Sequence, residues 1–407
     1  MKKARSAACA LCLALLAPLA IHALRVLPTD RRALVAEKYA GWSGVLRLWV
    51  QEDAPVGDGR LTTWLNGCVA RFEKRHPGVY VQPQSVDAGA MADFLTSGIR
   101  PPDMLLFAPG TLDGPAGLAP IEIPANLRDE LRHCGAWGNA CFAAPVALGG
   151  YLWAWNPALT DGVPGNWRES GATLAVLPAD RTRRFDAALL ALCSGYHEKA
   201  REEAPLELPG VDLGLGGSAT AAAPTAGPAG LLPCALPEGF DFDGDAFTRF
   251  CNGEAAATVV TPREVRRLEQ LGAQGRGPDW RLSPGGAAFT DQLLCLAIVD
   301  REAGQGELCR AFLDCLLEEE SQSALAAAGA CPVTDAPIRS GGADPLHILD
   351  SALRRPGLAA PNCLDKKWPE TAREIVRKFL AGDGESPALW RALAERLNQN
   401  PNIQNRP

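Results

Sequence analysis

Three aspartates at alternate positions, Asp241, Asp243 and Asp245, begin like the ligand run of an EF-hand calcium loop. The sixth place of such a loop needs glycine and holds Ala246. The twelfth needs a bidentate glutamate and holds Asn252. An acidic turn at a helix start fits this spacing better than a calcium site. Gly214-Leu215-Gly216-Gly217 carries the glycines of a nucleotide loop, but it lies in a low-complexity stretch and not between a strand and a helix. No GxxxxGK(S/T), HExxH or GxSxG pattern occurs. The five histidines are scattered, and none marks a nucleophile–base pair. Of thirteen cysteines, those beyond the first 24 residues form no CxxC pair, which disfavours zinc. Their odd number and irregular spacing suggest buried free thiols packing as small hydrophobes, with Cys134–Cys141 and Cys309–Cys315 as the local pairs able to bridge. Carboxylates are plentiful, so a glycosidase pair stays open, although no two of them are singled out. No motif among these residues marks a catalytic, cofactor or metal site.

The body carrying that chemistry is long. At roughly 150 residues per domain, 407 residues allow two to three domains. A content of 47% hydrophobic and 21% charged residues is that of a globular protein. The net charge of -7, with no basic stripe, argues against nucleic-acid binding, which needs clustered Lys and Arg against phosphate. The N-terminus has the form of an export signal: Lys2, Lys3 and Arg5 precede an apolar run, Ser6 to Leu24, broken only by Pro18 and His22. That run of 19 residues is also long enough to cross a bilayer, so cleavage after Ala23 and retention as an anchor both fit. Cys9 and Cys12 lie inside the run, so lipid attachment is not expected. On the positive-inside rule the rest faces outward, at the extracytoplasmic face of the membrane, anchored or secreted.

After a charged spacer at 25–43, GVLRLWV (44–50) reads as a buried strand leading into the polar loop 51–60. In 61–78 the apolar residues Leu61, Trp64, Leu65, Cys68, Val69 and Phe72 recur at helical spacing. VYVQPQSV (79–86) is a strand, MADFLTSG (91–98) a helix and MLLFA (104–108) a strand. This alternation indicates a parallel α/β unit. Further strands are expected at 144–156, 174–178, 255–260 and 293–299. Helices are expected at 183–202, 243–254, 262–271 (with Pro262 in its first turn), 306–329 (one long helix or a pair, ending at Gly329), 369–382 and 386–399. Residues 208–233 are Gly, Ala, Pro, Ser and Thr, a flexible loop.

Five stretches in order resemble extracellular solute-binding protein family 1, the carbohydrate-type binding proteins of ABC importers. They are WLNGCVARFEKRHPGVYV (64–81), RPPDMLLFAPG (100–110), APVALGGYLWAWNPAL (144–159), FTRFCNGEAAATVVTP (247–262) and the long segment 293–333. Departures are the absent lipoprotein cysteine, Glu254 in place of the common Lys, Trp155 in place of the usual Tyr, the extra loop at 208–233 and a weak match past 333.

The resemblance implies a two-lobe α/β fold, of periplasmic-binding-protein type II, closing about hinge crossings. It maps the crossings near 146–151, 293–297 and 331–333. Lobe one is then 44–146 plus 297–331, and lobe two 151–292 plus 334–400. Ligands bind in interlobe clefts, so the expected contacts lie on strand-end loops. Beside Gln51, the carboxylates Glu52 and Asp53 would accept bonds from vicinal hydroxyls. Phe107, Tyr151, Trp155 and Trp280 are the expected stacking aromatics. Thr261 and Arg263 open a cleft-lining turn, Arg263 able to bind hydroxyls or an anionic group. The implied function is capture of a small solute, first a sugar or oligosaccharide, and its delivery to ABC importer permease subunits, with the N-terminal segment as membrane link. The alternative keeps the fold and binds an anionic solute such as a polyol phosphate or peptide, or serves as a membrane-anchored sensor or scaffold.

Overall fold

A computed structural model describes residues 42–93, 102–159, 175–178, 240–243, 245–284, 289–300, 303–338, 345–354, 358–380 and 386–397. The export segment, the helix at 183–202 and the loop at 208–233 lie outside them.

Twelve strands run through the described residues: β1 (Gly44–Gln51), β2 (Val79–Val86), β3 (Met104–Phe107), β4 (Ala136–Trp137), β5 (Ala140–Cys141), β6 (Ala143–Leu148), β7 (Leu152–Trp155), β8 (Ala175–Pro178), β9 (Phe240–Asp243), β10 (Ala257–Val260), β11 (Arg281–Pro284) and β12 (Leu293–Ile298). The helices are α1 (Leu61–Arg75), α2 (Ala88–Ala92), α3 (Ala246–Cys251), α4 (Pro262–Ala273), α5 (Ala303–Leu317), α6 (Glu319–Ser323), α7 (Pro345–Leu353), α8 (Trp368–Leu380) and α9 (Ser386–Leu397), with 3-10 turns at Asp129–Gly135 and Ala324–Ala328. The short strands β4, β5, β9 and β11 and the helix α7 were not expected. The long helix or helix pair expected at 306–329 is three pieces, because Glu318 breaks it, and Gly329 ends it in the left-handed region as expected.

The strands form two five-stranded sheets. The first has the order β2-β1-β3-β12-β6, with β1 parallel to both β2 and β3, and β12 antiparallel to β3 and β6. The second has the order β11-β7-β10-β8-β9. In the first sheet β3, β6 and β12 are buried along their whole length, which is why their sequences run apolar without alternation. Helix α1 buries Trp64, Leu65, Cys68, Val69 and Phe72, the stripe that its periodicity marks. It docks on the α5–α6 region through the edge-on Phe72–Phe312 pair and through Trp64 Nε1 donating to Ser321 O at 2.8 Å.

Among the described residues, two connections run from a strand of one sheet to a strand of the other. Residues 149–151 lead from β6 to β7, and the segment from β11 to β12 ends in residues 289–292. The whole of 293–298 is strand in the first sheet, so this crossing ends before the position expected for it. Residues 358–364, expected in lobe two, hydrogen-bond toward the first sheet's surroundings. Cys363 N donates to Cys134 O at 2.7 Å, Gly114 N to Leu364 O at 2.8 Å, and Asn362 Nδ2 to Ala136 O at 2.7 Å. All nine described cysteines are free and eight are buried, so neither Cys134–Cys141 nor Cys309–Cys315 forms the local bridge that spacing allowed. Burial pushes the Cys68 and Cys141 thiols up to about 11, which keeps them protonated.

Candidate functional site

Strand polarity gathers the site. The C-terminal ends of β1, β3 and β6 and the start of β12 lie at one edge of the first sheet. In the second sheet Leu152 pairs with Val260, so the start of β7 and the end of β10 face the crossings. Loops from both sheets therefore meet around the crossings, the usual place for a ligand in a split α/β fold.

The crossings are laced to each other. Gly149 N donates to Gln292 O at 2.7 Å, and Thr290 Oγ1 donates to Gly149 O at 2.8 Å. Tyr151 OH donates to Asp291 Oδ1 at 2.6 Å. Tyr151 is buried, so its hydroxyl braces the two crossings. Gly149 allows this contact: a Cβ there would sit 2.6 Å from Gln292 Oε1.

From the first sheet, Gln51 Oε1 accepts from Ala108 N and from Thr111 Oγ1, both at 2.9 Å, binding the loop after β1 to the loop after β3. Glu52 and Asp53 follow Gln51 and are exposed. Phe107 is fully buried, so its ring belongs to the core beneath this edge. Trp368, which sequence reasoning passed over, packs beside the loop after β3: a Cβ on Gly110 would lie 3.2 Å from its Nε1. Its ring centroid is 6.5 Å from that of Phe289, at the second crossing.

From the second sheet, Thr261 caps α4. Its backbone N and its Oγ1 both donate to Glu264 Oε2, at 2.7 and 2.9 Å, and Pro262 takes the first helical position. The Thr261 hydroxyl is thereby engaged in the cap. Arg263 is exposed at the same helix start, with its Nη2 3.8 Å from where a Cβ on Gly59 would stand. The structure thus brings Arg263 against the loop that follows β1.

Trp155 and Trp280 are not brought to the crossings. Trp155 pairs with Ala257 and Arg281, three residues along from Leu152, which sets it roughly 10 Å farther down the sheet. The Arg281 guanidinium lies 5.8 Å from the centre of its ring, and Trp280 adjoins Arg281. The alternation that puts Tyr151, Trp153 and Trp155 on one face does not specify which end of the strand meets the cleft.

The densest charge at this edge was missed. Asp58, on the loop after β1, has a side chain only 3% exposed and ion-pairs with Arg60 and with Arg266 of α4. Arg60 Nη2 donates to Asp58 Oδ2 at 2.6 Å, and Arg266 Nη1 to the same oxygen at 2.7 Å. Burial alone would raise the carboxyl, but the two guanidiniums outweigh it and hold Asp58 below the ordinary value of 3.8. No local signal marks a pair 208 residues apart in the chain. Among the described residues no group of three or more His, Cys, Asp or Glu is placed to hold a metal ion, and no helix is long and apolar enough to cross a membrane.

No protein-family model and no curated protein sequence matches the chain. Solved structures do. The maltodextrin-binding protein of L. casei is 14% identical with a TM-score of 0.55, over 88% of this chain and 100% of that one. The sugar-binding protein MalE of Xanthomonas citri is 16% identical with a TM-score of 0.51, over 87% and 96%. The GacH receptor of Streptomyces glaucescens, whose structures include a complex with acarbose, is 13% identical with a TM-score of 0.51, over 87% and 97%. With its two sheets, paired crossings and strand polarity, the chain has the two-lobe α/β fold of the periplasmic solute-binding proteins.

Proposed function

We propose that the chain is an extracytoplasmic solute-binding protein, not an enzyme, which captures a sugar or oligosaccharide between its lobes and passes it to an ABC importer. The observation that carries this reading is the convergence of the loops after β1 and β3 and the start of α4 on the paired crossings. The neighbours in fold named above bind maltodextrin, sugar and acarbose, which supports the carbohydrate class. Lobe one centres on the first sheet and lobe two on the second, with the crossings as the hinge. Glu52 and Asp53 accept bonds from sugar hydroxyls, and Arg263 donates from the facing lobe. Tyr151 acts through the hinge. The N-terminal segment is the export signal or anchor, and importer permease subunits receive the solute.

A second reading rests on the exposed guanidinium of Arg263 beside Gly59: the solute carries an anionic group, as in a phosphorylated polyol or a peptide. A thermal-shift screen of residues 30–407 against mono- and oligosaccharides, polyol phosphates and peptides separates the two. A ligand at 100 times its Kd adds about 2.7 kcal/mol of stability. A saturable shift with sugars that is lost in Glu52→Ala and Arg263→Ala supports the first reading. A shift confined to anionic compounds supports the second. No shift across the library overturns both.

A further inference from the structure

We propose that Asp58, Arg60 and Arg266 form an interlobe latch that sets the balance between closed and open forms, with Arg266 pulling the lobes shut and Arg60 easing their release. The inference rests on the solute-binding reading for its use, but not for its geometry.

Asp58 is fixed to the first lobe. Its backbone N donates to Ala328 O at 2.9 Å, at the end of the 3-10 turn that packs on α1. Two glycines make the fit possible. Gly57 has φ +83° and a Cβ there would meet Ala328 O at 2.6 Å. Gly329 has φ +70° and a Cβ there would meet Asp58 Cβ at 2.7 Å. Both conformations favour glycine, and both close approaches exclude a side chain. Arg266 belongs to the other lobe: α4 follows β10 and packs against β10 and α7. The Arg266–Asp58 bond at 2.7 Å therefore spans the cleft, from a carboxylate 3% exposed to a guanidinium 36% exposed.

Arg60 has the opposite effect. It sits two residues from Asp58 on the same loop, its Nε 3.1 Å from each carboxylate oxygen and its Nη2 2.6 Å from Oδ2. When the lobes part, Arg266 leaves and Arg60 stays. A buried carboxylate stripped of every counter-ion would resist opening strongly. One that keeps a local arginine gives up only one partner, and the contact is reversible. Removing Arg266 thus favours the open form, and removing Arg60 favours the closed form because the open form then strands the charge. Effects of opposite sign from two arginines on one carboxylate distinguish a latch from a general surface contribution.

The test uses the full chain as wild type, Arg266→Gln, Arg60→Gln and Asp58→Asn, each verified as folded by circular dichroism. Small-angle X-ray scattering without ligand reads the radius of gyration at low salt and at about 1 M NaCl, where the screening length falls to about 3 Å. Arg266→Gln and Asp58→Asn are expected to be more expanded than wild type at low salt, and Arg60→Gln at least as compact as wild type. Titration with a maltodextrin mixture is the second arm. Arg266→Gln weakens binding and Arg60→Gln tightens it, each by about two- to fivefold, the span of one ion pair at a partly exposed site. A shift of the same sign in both arginine variants, or no change of radius in Arg266→Gln and Asp58→Asn, overturns the latch. If wild type binds no maltodextrin, the sugar reading fails for that probe, while the scattering arm still decides the latch.

Discussion

The hinge and the rim of the cleft are held by opposite kinds of interaction. At the hinge, Tyr151, Asp291, Thr290, Gly149 and Gln292 share short, directional hydrogen bonds that are buried or nearly so, four of them within two short segments. At the rim, one carboxylate is shared between two arginines with 48% and 36% of their side chains exposed. Buried hydrogen bonds are costly to leave unmade, so the hinge keeps its geometry through a cycle. At the rim Arg266 can leave at little net cost, because Arg60 stays on the carboxylate and water takes up the half-exposed guanidinium. The hinge is built from buried bonds that water does not replace, and the rim from a carboxylate that keeps one arginine when the other, exposed one leaves.

The contrast is open to attack at four points. Gly149→Val places atoms where Gln292 stands and should cost about 3 kcal/mol, at the upper end of overpacking effects, read as a lowered denaturant midpoint. A cost near zero would mean that the crossings are not tightly registered. Tyr151→Phe removes one buried hydrogen bond to a carboxylate and should cost about 2 kcal/mol by the same measurement, with ligand affinity reduced only through the hinge.

The third point is acid. Burial holds His133 below the ordinary 6.5, and its Nε2 lies 2.8 Å from Ala360 O, next to the residue whose carbonyl accepts from Thr290 N. A histidine with a lowered folded value binds protons more readily unfolded. Its stabilising contribution is complete above 6.5 and drains away as pH falls through the depressed value. Asp58 behaves in the same sense but lower, contributing above 3.8 and losing out only as pH falls through its own depressed value. Stability measured by chemical unfolding should therefore begin to fall below 6.5, while the rim pair persists. His133→Gln should flatten that part of the profile; an unchanged profile would assign it to other groups.

The smallest effect is Arg266→Gln. It should change global stability by less than about 1 kcal/mol while altering the openness of the ligand-free protein. A large loss of stability would place the rim with the hinge and erase the distinction.

Much of the frame was legible because short-range rules govern it. Five of the six residues of the α1 stripe read from the sequence are buried, with Leu61 half-buried at the helix start, since one face of a helix recurs every three to four residues. Thr261-Pro262 with Glu264 is a helix start that local geometry enforces whatever surrounds it. The site was legible only by loop. The loops after β1 and β3 and the start of α4 do converge, yet within them the individual roles shifted. Phe107 is core, Tyr151 is a hinge brace, Thr261 caps its own helix, and Trp155 and Trp280 sit at the far end of their sheet. An aromatic pattern says which face a side chain takes, not what covers that face. The short strands β4, β5, β9 and β11 carry too few residues for a period to show.

The order of strands and helices, the apolar faces they bury and the caps that end them are set by neighbours within a few residues, so the sequence by itself determined them. Arg266, the second partner of Asp58, lies 208 residues from it, and the partners of Tyr151 and Gly149 lie 140 and 141 or more residues away. Such contacts form only after strand order and register have brought the segments together. Whether a hydroxyl faces a ligand or a carboxylate, and whether an arginine is a surface charge or a bond between lobes, is decided by that assembly and by the burial it imposes.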